Sequence, residues 1–437
     1  MNYLIKNAHV VDPANNIDAI CDVLIENGKI KSLAPAGHSL YEREKKAAGA
    51  QIIDGSGLLC APGFIDTHVH LREPGYEGKE TILSGTQSAA KGGFTTVCMM
   101  PNTNPAMDSG AHIKLANKII SSDALVNVRI IGALTEERNG KKLTDFAELK
   151  KAGVAALSDD GSPVENSSLM KEALKKAAKL GLPITSHAED LKLAGKGVMN
   201  DGFISSKLGL AGISNASEFL AVEREIALAR ATKTPLHFSH ISTKESIAAI
   251  RKAKKEGLKI TAEATPHHFT LTEKECESFS GNTKMNPPLR AQADVDAIKK
   301  ALADGTLDNI ATDHAPHAPH EKEVEFDFAM FGIIGLETAF ALSYQTLVES
   351  GLINIKKLVE LMSLNPAKIF KLEGGALTPG KKADITLIDL NKEWVYTQDE
   401  ILSSSRNTPY IGRKLKGRVK HVFCGGKHIF KDGKINE

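Results

Sequence analysis

The stretch Ser168-Leu169-Met170-Lys171-Glu172-Ala173-Leu174-Lys175-Lys176-Ala177-Ala178-Lys179-Leu180-Gly181-Leu182-Pro183-Ile184-Thr185-Ser186-His187 is one helix-to-strand unit. Its apolar residues recur at three- and four-residue steps while Lys171 to Lys179 supply a solvated face, the pattern of an amphipathic helix. A lysine-bearing helix end and Gly181 then act as a stop, and Leu182 to His187 is a short apolar run that ends on an imidazole.

The same unit recurs on both sides. Strand-like runs are Gly63 to His68, Phe94 to Met100, Val128 to Leu134, Val154 to Ser158, Leu182 to His187, Leu236 to His240, Leu258 to Glu263 and Asn309 to Asp313, eight in all. Further stops precede several of them at Lys91-Gly92-Gly93, Lys151-Ala152-Gly153 and Lys255-Glu256-Gly257. Eight strands alternating with helices over about 250 residues match a (β/α)8 TIM barrel. Periodicity does not show closure, so an open doubly wound sheet is the alternative.

The flanks differ in style. Tyr3-Leu4-Ile5 and Cys21 to Ile25, with a turn at Glu26 to Lys29, match Asp384 to Ile388 and Val419 to Phe423, with a turn at Cys424 to Lys427. Neither end can bury a good core alone, so the expected organisation is a small composite β-sandwich made from residues 1–60 and 369–437 around a barrel over 61–368.

Composition narrows the function. The chain has 437 residues, 55 basic against 53 acidic, and a net charge of +2, which implies no nucleic-acid partner. No run of apolar residues is long enough to span a membrane and the start lacks a secretory signal, so a cytoplasmic location is expected. The five cysteines lie far apart without C-x-x-C spacing, as incidental thiols do.

Chemistry concentrates at the strand ends. His68 and His70 are two apart on a strand and face one way, and Asp160, His187, His240 and Asp313 each fall at or just after the end of a later strand. Barrels place active sites on that rim. Nitrogen and oxygen ligands without sulfur suit zinc, with manganese or cobalt as alternatives. Four histidines and two carboxylates exceed what one catalytic ion with an open position needs, whereas two ions sharing a bridging carboxylate use them all. Hydrolysis of an amide-like bond, or its reverse, is the matching reaction class.

These residues carry a resemblance. The barrel with His68-x-His70, His187, His240 and Asp313 resembles the amidohydrolase superfamily, and His68-Val69-His70-Leu71-Arg72-Glu73-Pro74-Gly75 resembles the signature of the dihydroorotases of the long bacterial type. Met100 to Pro105, Leu157 to Gly161, Met285 to Arg290 and Asp313 to His317 agree, so the likeness runs from Pro62 to about Asn365. It implies closure of N-carbamoyl-L-aspartate to L-dihydroorotate in pyrimidine synthesis, with two zinc ions per chain. His68 and His70 would hold one ion, His187 and His240 the other, and Asp313 would ligate the first and act as general base and acid. Many relatives bridge the ions with a carbamylated lysine; Leu157-Ser158-Asp159-Asp160 stands there instead, so the bridge falls to Asp160, with Asp159 as competitor. Arg72, on the His70 face if the strand persists, would pair with the substrate carboxylate, helped by Asn102 and His317, and Asn286 would contact the ring amide. As simpler readings, Arg72 would be a structural rim residue and Asn286 a turn former before Pro287-Pro288. A homodimer and a complex with aspartate transcarbamoylase are the partners the resemblance brings besides the small-molecule substrate. Residues 314–331 would form a mobile lid.

Three signals are set aside. Gly375 to Lys381 has phosphate-loop spacing, but Lys382 follows in place of Ser or Thr and a strand comes next. His267-His268 is assigned to packing or to support behind the ligands, because adjacent strand residues face opposite ways, and His237 to the core. Competing functions are a cyclic-amide hydrolase of the allantoinase or hydantoinase kind, which Arg72 and Asp160 argue against, and a non-catalytic scaffold for aspartate transcarbamoylase, which would have lost ligands.

Overall fold

The computed structural model describes residues 1–37 and 49–436. At its N-terminal end lie strands β1 (Tyr3–Asp12), β2 (Ile17–Glu26), β3 (Lys29–Pro35), β4 (Gln51–Asp54) and β5 (Leu59–Pro62). Barrel strands β6 (Phe64–Val69), β7 (Phe94–Met99), β8 (Asn127–Ala133), β9 (Ala156–Ser158) and β10 (Thr185–Ser186) follow. A small parallel pair, β11 (Met199–Asn200) and β12 (Gly212–Ile213), precedes the remaining barrel strands β13 (Leu236–Phe238), β14 (Ile260–Ala264) and β15 (Asn309–Ile310). The C-terminal strands are β16 (Ile385–Val395), β17 (Lys414–Cys424), β18 (Lys427–Lys431) and β19 (Lys434–Ile435).

All eight expected barrel strands are present and parallel, in the ladders β6-β7-β8-β9 and β10-β13-β14-β15. Two seams join the ladders: Leu157 pairs with Ile184, and Val69 with His314, where the His70 amide donates to the His314 carbonyl at 2.9 Å. The barrel is therefore closed and the open-sheet alternative falls.

The helix read from sequence shows why the unit forms. Asn166 caps it by accepting from the Ser168 and Leu169 amides, and Met170, Ala173, Leu174 and Ala177 are its buried stripe. Each large apolar side chain so buried stabilises the fold by about 2 kcal/mol. Gly181 ends it in the left-handed region at φ 69°, where a side chain would be strained. The chain turns there into β10 and delivers His187 to the rim.

The chain ends share one nine-stranded sheet, ordered β19-β18-β17-β16-β5-β1-β2-β3 with β4 beside β1. Three strand spacings, about 14 Å in a flat sheet, separate β1 from β17. Yet the rings of Tyr3 and Phe423 meet at 5.1 Å, so the sheet folds over on itself as a sandwich. Its interior is Ile5, Val10, Val23, Ile25, Leu387 and Phe423 with their neighbours. The two hairpin turns abut through Ala383, whose amide donates to the Gly28 carbonyl while its carbonyl accepts from Gly426. At Gly63, between β5 and β6, a Cβ would sit 2.2 Å from Thr95 Oγ1, so only glycine lets the sheet pass directly into the barrel. Among the described residues no helix is long and apolar enough to cross a membrane.

Candidate metal and substrate site

The rim gathers the six expected ligands. His68 is the penultimate residue of β6; His70, Asp160, His187, His240 and Asp313 follow the ends of their strands by one to three residues, and all are buried. His240 and Asp313 hold left-handed backbones at φ 32° and 46°, strain that costs about 1–2 kcal/mol each and persists only where neighbours enforce it. Asp66 does so beside Asp313, accepting from the Thr312 amide at 3.1 Å and from the His68 amide at 3.0 Å. Buried Glu218 does so beyond His240, accepting from the Ser242 and Thr243 amides.

Spacing decides what the cluster can hold. Ligands bound at zinc-like lengths around a tetrahedral ion stand about 3.3 Å apart. His68 Nε2 lies 3.4 Å from both Asp160 Oδ1 and Asp313 Oδ1, and His240 Nε2 lies 3.4 Å from Asp160 Oδ1. His70 Nε2 is 2.9 Å from Asp313 Oδ1 and 3.6 Å from Asp160 Oδ2. His187 Nδ1 is 3.6 Å from Asp160 Oδ1 and 3.0 Å from His240 Nε2. Donor atoms thus converge twice, as His68, His70 and Asp313 and as His68, Asp160 and His240, with His187 adjoining the second group. Buried His68 Nε2 has no hydrogen-bond partner among the described residues although it faces two carboxylates, the position of a lone pair aimed at a cation. The residues fit divalent metal.

The electrostatics agree. Burial alone would raise the Asp160 carboxyl, but His68, His187 and His240 hold it well below the usual carboxylate range. Burial lowers imidazoles, yet Asp160 and Glu189 lift His187 to about 10. Asp159 points elsewhere: its carboxylate accepts from the Leu134 and Thr135 amides and the Thr135 hydroxyl, and burial pushes it up to about 6. Of the two candidate bridges, only Asp160 enters the cluster.

Arg72, Asn102, Asn286 and His317 all line the cavity above it, about 390 Å³ in volume. The reason given for Arg72 fails, since β6 stops at Val69 and Arg72 turns left-handed at φ 64°. Its guanidinium reaches the site from the turn, with Nε donating to the Pro316 carbonyl at 3.0 Å and Nη2 3.3 Å from His317 Nε2. Burial, then Arg72 and Lys79, push His317 down to about 3, so it is neutral. Asn102 Oδ1 stands 2.9 Å from His70 Nδ1 and orients that ring. Asn286 donates to Glu189 at 3.1 Å and leaves its buried Oδ1 without a partner among the described residues.

His267 and His268 lie on a short helix, Pro266–Thr270, so the strand argument did not apply. The packing assignment holds for His268, bound between Thr265 Oγ1 and the Pro287 carbonyl at 2.7 and 2.8 Å. His237 is buried as expected, against Phe370 and Glu263. Sequence reading missed Glu263, whose oxygens meet His68 Nδ1 at 3.3 Å, Thr67 Oγ1 at 2.5 Å and His237 Nε2 at 3.1 Å. It is the sole acid in its strand-like run, a signal that was available. Glu189, 3.2 Å from His187 Nε2, and Arg138, which donates to the Asp160 carbonyl, were missed as well.

Comparison with known proteins places the chain in a family. A family model described as dihydro-orotase-like matches residues 57–246. The chain is 60% identical to a dihydroorotase of Elusimicrobium minutum, over 100% of this chain and 99% of the relative. It is 47% identical to one of Geobacter metallireducens, over 99% and 100%. The chain belongs to the dihydroorotase family. Among solved structures, an L-hydantoinase from Arthrobacter aurescens superposes with a TM-score of 0.87 at 22% identity, covering 100% of this chain and 97% of that one. A dihydropyrimidinase from Brevibacillus agri does so at 0.86 and 20%, over 100% and 96%. Those two likenesses establish the fold. The carboxylate of Asp160 stands at the centre of the cluster, within 3.6 Å of His68, His70, His187 and His240.

Proposed function

We propose that the chain is a dihydroorotase that interconverts N-carbamoyl-L-aspartate and L-dihydroorotate in pyrimidine synthesis, a cytoplasmic enzyme with two zinc ions. The observation that carries it is the placing of Arg72 and neutral His317 in the wall of a cavity whose floor is the His–Asp cluster. A cyclic amide bearing one carboxylate needs both ends at once.

His68, His70 and Asp313 would hold one ion and His187 and His240 the other, with Asp160 between them. When bound, such ions polarise a carbonyl and make water a nucleophile near neutral pH. The protein's own groups do the rest. Arg72 pairs with the carboxylate that survives in the ring, and Asn286 Oδ1 is free to accept the ring N–H. In closure the carbamoyl nitrogen forms the new C–N bond, a C–O bond of the side-chain carboxyl breaks and water leaves. Asp313 takes the proton from the nitrogen and passes it to the departing oxygen. Carbamoyl-aspartate is a dianion and dihydroorotate a monoanion, so closure consumes one further proton from solvent and is favoured by acid.

The test is dihydroorotate hydrolysis by the purified chain with zinc, alone and with aspartate transcarbamoylase. Arg72→Ala should raise KM on the order of 10²-fold, the cost of unpairing a buried carboxylate. Turnover of hydantoin or allantoin in place of dihydroorotate would sink the proposal. Activity only with aspartate transcarbamoylase would mean an enzyme completed by assembly, and size measurement would report whether the chain is a homodimer.

A further inference from the structure

The outer wall of the cavity, Met330 and Phe331, belongs to the segment after β15, and two buried lysines hold that segment. Lys284 and Lys322 are only 2% and 4% exposed. Lys284 Nζ donates to the Phe326 and Asp327 carbonyls, both at 2.9 Å, and lies 4.7 Å from the centre of the Phe331 ring. Lys322 Nζ donates to the carbonyls of Met330 at 2.6 Å, Gly332 at 2.9 Å and Lys284 at 3.3 Å, which uses all three of its protons. The Gly332 amide returns a bond to the Lys284 carbonyl at 2.9 Å. Lys284 is two residues before Asn286, so one set of bonds fixes both the wall and a cavity amide.

An apolar anchor would be the cheaper way to hold a turn, because two ammonium groups must be buried side by side. Burial pushes Lys284 down to about 8 against the pull of Asp327, and burial followed by the charge of Lys284 pushes Lys322 down to about 7 against the pull of Glu321. The segment has one apolar anchor, Phe326, 3% exposed in a cluster with Val198, Met199, Ile204 and Cys276, whereas Phe328 is 75% exposed and Met330 45%. Past that anchor, the end that faces the cavity is tied down by the carbonyl bonds of Met330 and Gly332 to Lys322.

We propose that Lys284 and Lys322 are positioning residues that fix segment 323–332 as a standing wall of the substrate cavity, in place of a mobile lid. The role assigned to that cavity rests on the dihydroorotase reading; the latch itself does not. Lys322→Met and Lys284→Met should each raise KM for dihydroorotate roughly tenfold, the worth of one charge-assisted bond network, while kcat changes less than about threefold. Bound zinc should stay at the wild-type level, and a glutamate-specific protease should cut both variants after Glu323 or Glu325 where it spares the wild type. A folded variant with wild-type KM and wild-type cleavage overturns the proposal, as does a fall in kcat with KM unmoved. New cleavage in the variants of a chain that never turns over dihydroorotate would keep the latch and reject the reading of the cavity. If neither variant folds, hydrogen exchange on the unaltered chain decides: the amides of Glu323, Met330 and Gly332 should exchange slowly, and fast exchange there refutes the latch.

Discussion

Among the buried histidines, those of the rim and the pair in the terminal sheet meet burial with different neighbours, and the outcomes differ. At the rim His68 and His187 face carboxylates, which raise both imidazoles against the pull of burial, whereas His70 stays lowered by burial and by Arg72 although Asp313 faces it. In the terminal sheet His421 and His428 face each other at 3.2 Å, with His428 stacked on Phe423 at 4.4 Å, and both are lowered. Burial is common to the two, so the sum of neighbouring charges decides. Carboxylates around buried histidines favour positive charge in the site, carried by a proton when no metal is bound and by the metal when it is; a histidine beside a histidine is held neutral, as packing.

The contrast breaks most visibly where one carboxylate serves three rings. Asp160→Asn should remove most of the bound metal and lower kcat for dihydroorotate hydrolysis by 10³-fold or more, the scale on which acid, base and metal groups act. Metal content and turnover measured together check it; a variant with both ions and near-normal rate would show the central carboxylate to be dispensable. Removal of metal by a chelator should abolish turnover in the wild type and restore it on adding zinc.

Glu263→Gln comes next in size. It keeps the shape of the side chain while weakening its hold on His68 Nδ1, and such outer carboxylates are worth about 10–100-fold in metal affinity or activity. Titration with zinc measures it, and unchanged affinity would mean that the Glu263 network only fills the barrel.

These two residues also mark what could be read from sequence. Asp160, like His68, His70, His187, His240 and Asp313, falls where a strand with a period of two meets a loop, so the repeat that reveals the barrel also collects the ligands. Arg72 was found for the wrong reason, because the turn carrying it at φ 64° is invisible to a strand pattern. Glu263 and Glu189 went unread since their meaning lies in His68 and His187, and Glu263 is 195 residues away from its ring in the chain. Lys284 and Lys322 look like surface lysines until the fold encloses them. The composite sheet was legible as strands at both ends, whereas its folding over on the Tyr3–Phe423 contact was not.

The smallest effect tests the other side of the comparison. His428 is held at about 4 in the folded protein against 6.5 for the free side chain, by burial first and by His421 and Lys431 next, with Asp432 opposing. Between those values the unfolded chain binds a proton that the folded chain refuses, so stability is full above 6.5 and falls as the pH drops toward 4. Solvent screening leaves about 1–2 kcal/mol of this, a shift of about 2 °C in a chain this long. Apparent Tm followed from pH 7.5 down to 4.5 should therefore fall less in His428→Leu than in the wild type, with zinc held constant in both. Acid also strips the rim of metal, but that loss is shared and cancels in the difference. Parallel curves would mean that the sheet histidines take up their proton without strain, and the rim would then owe its raised imidazoles to something other than the partner each ring was given.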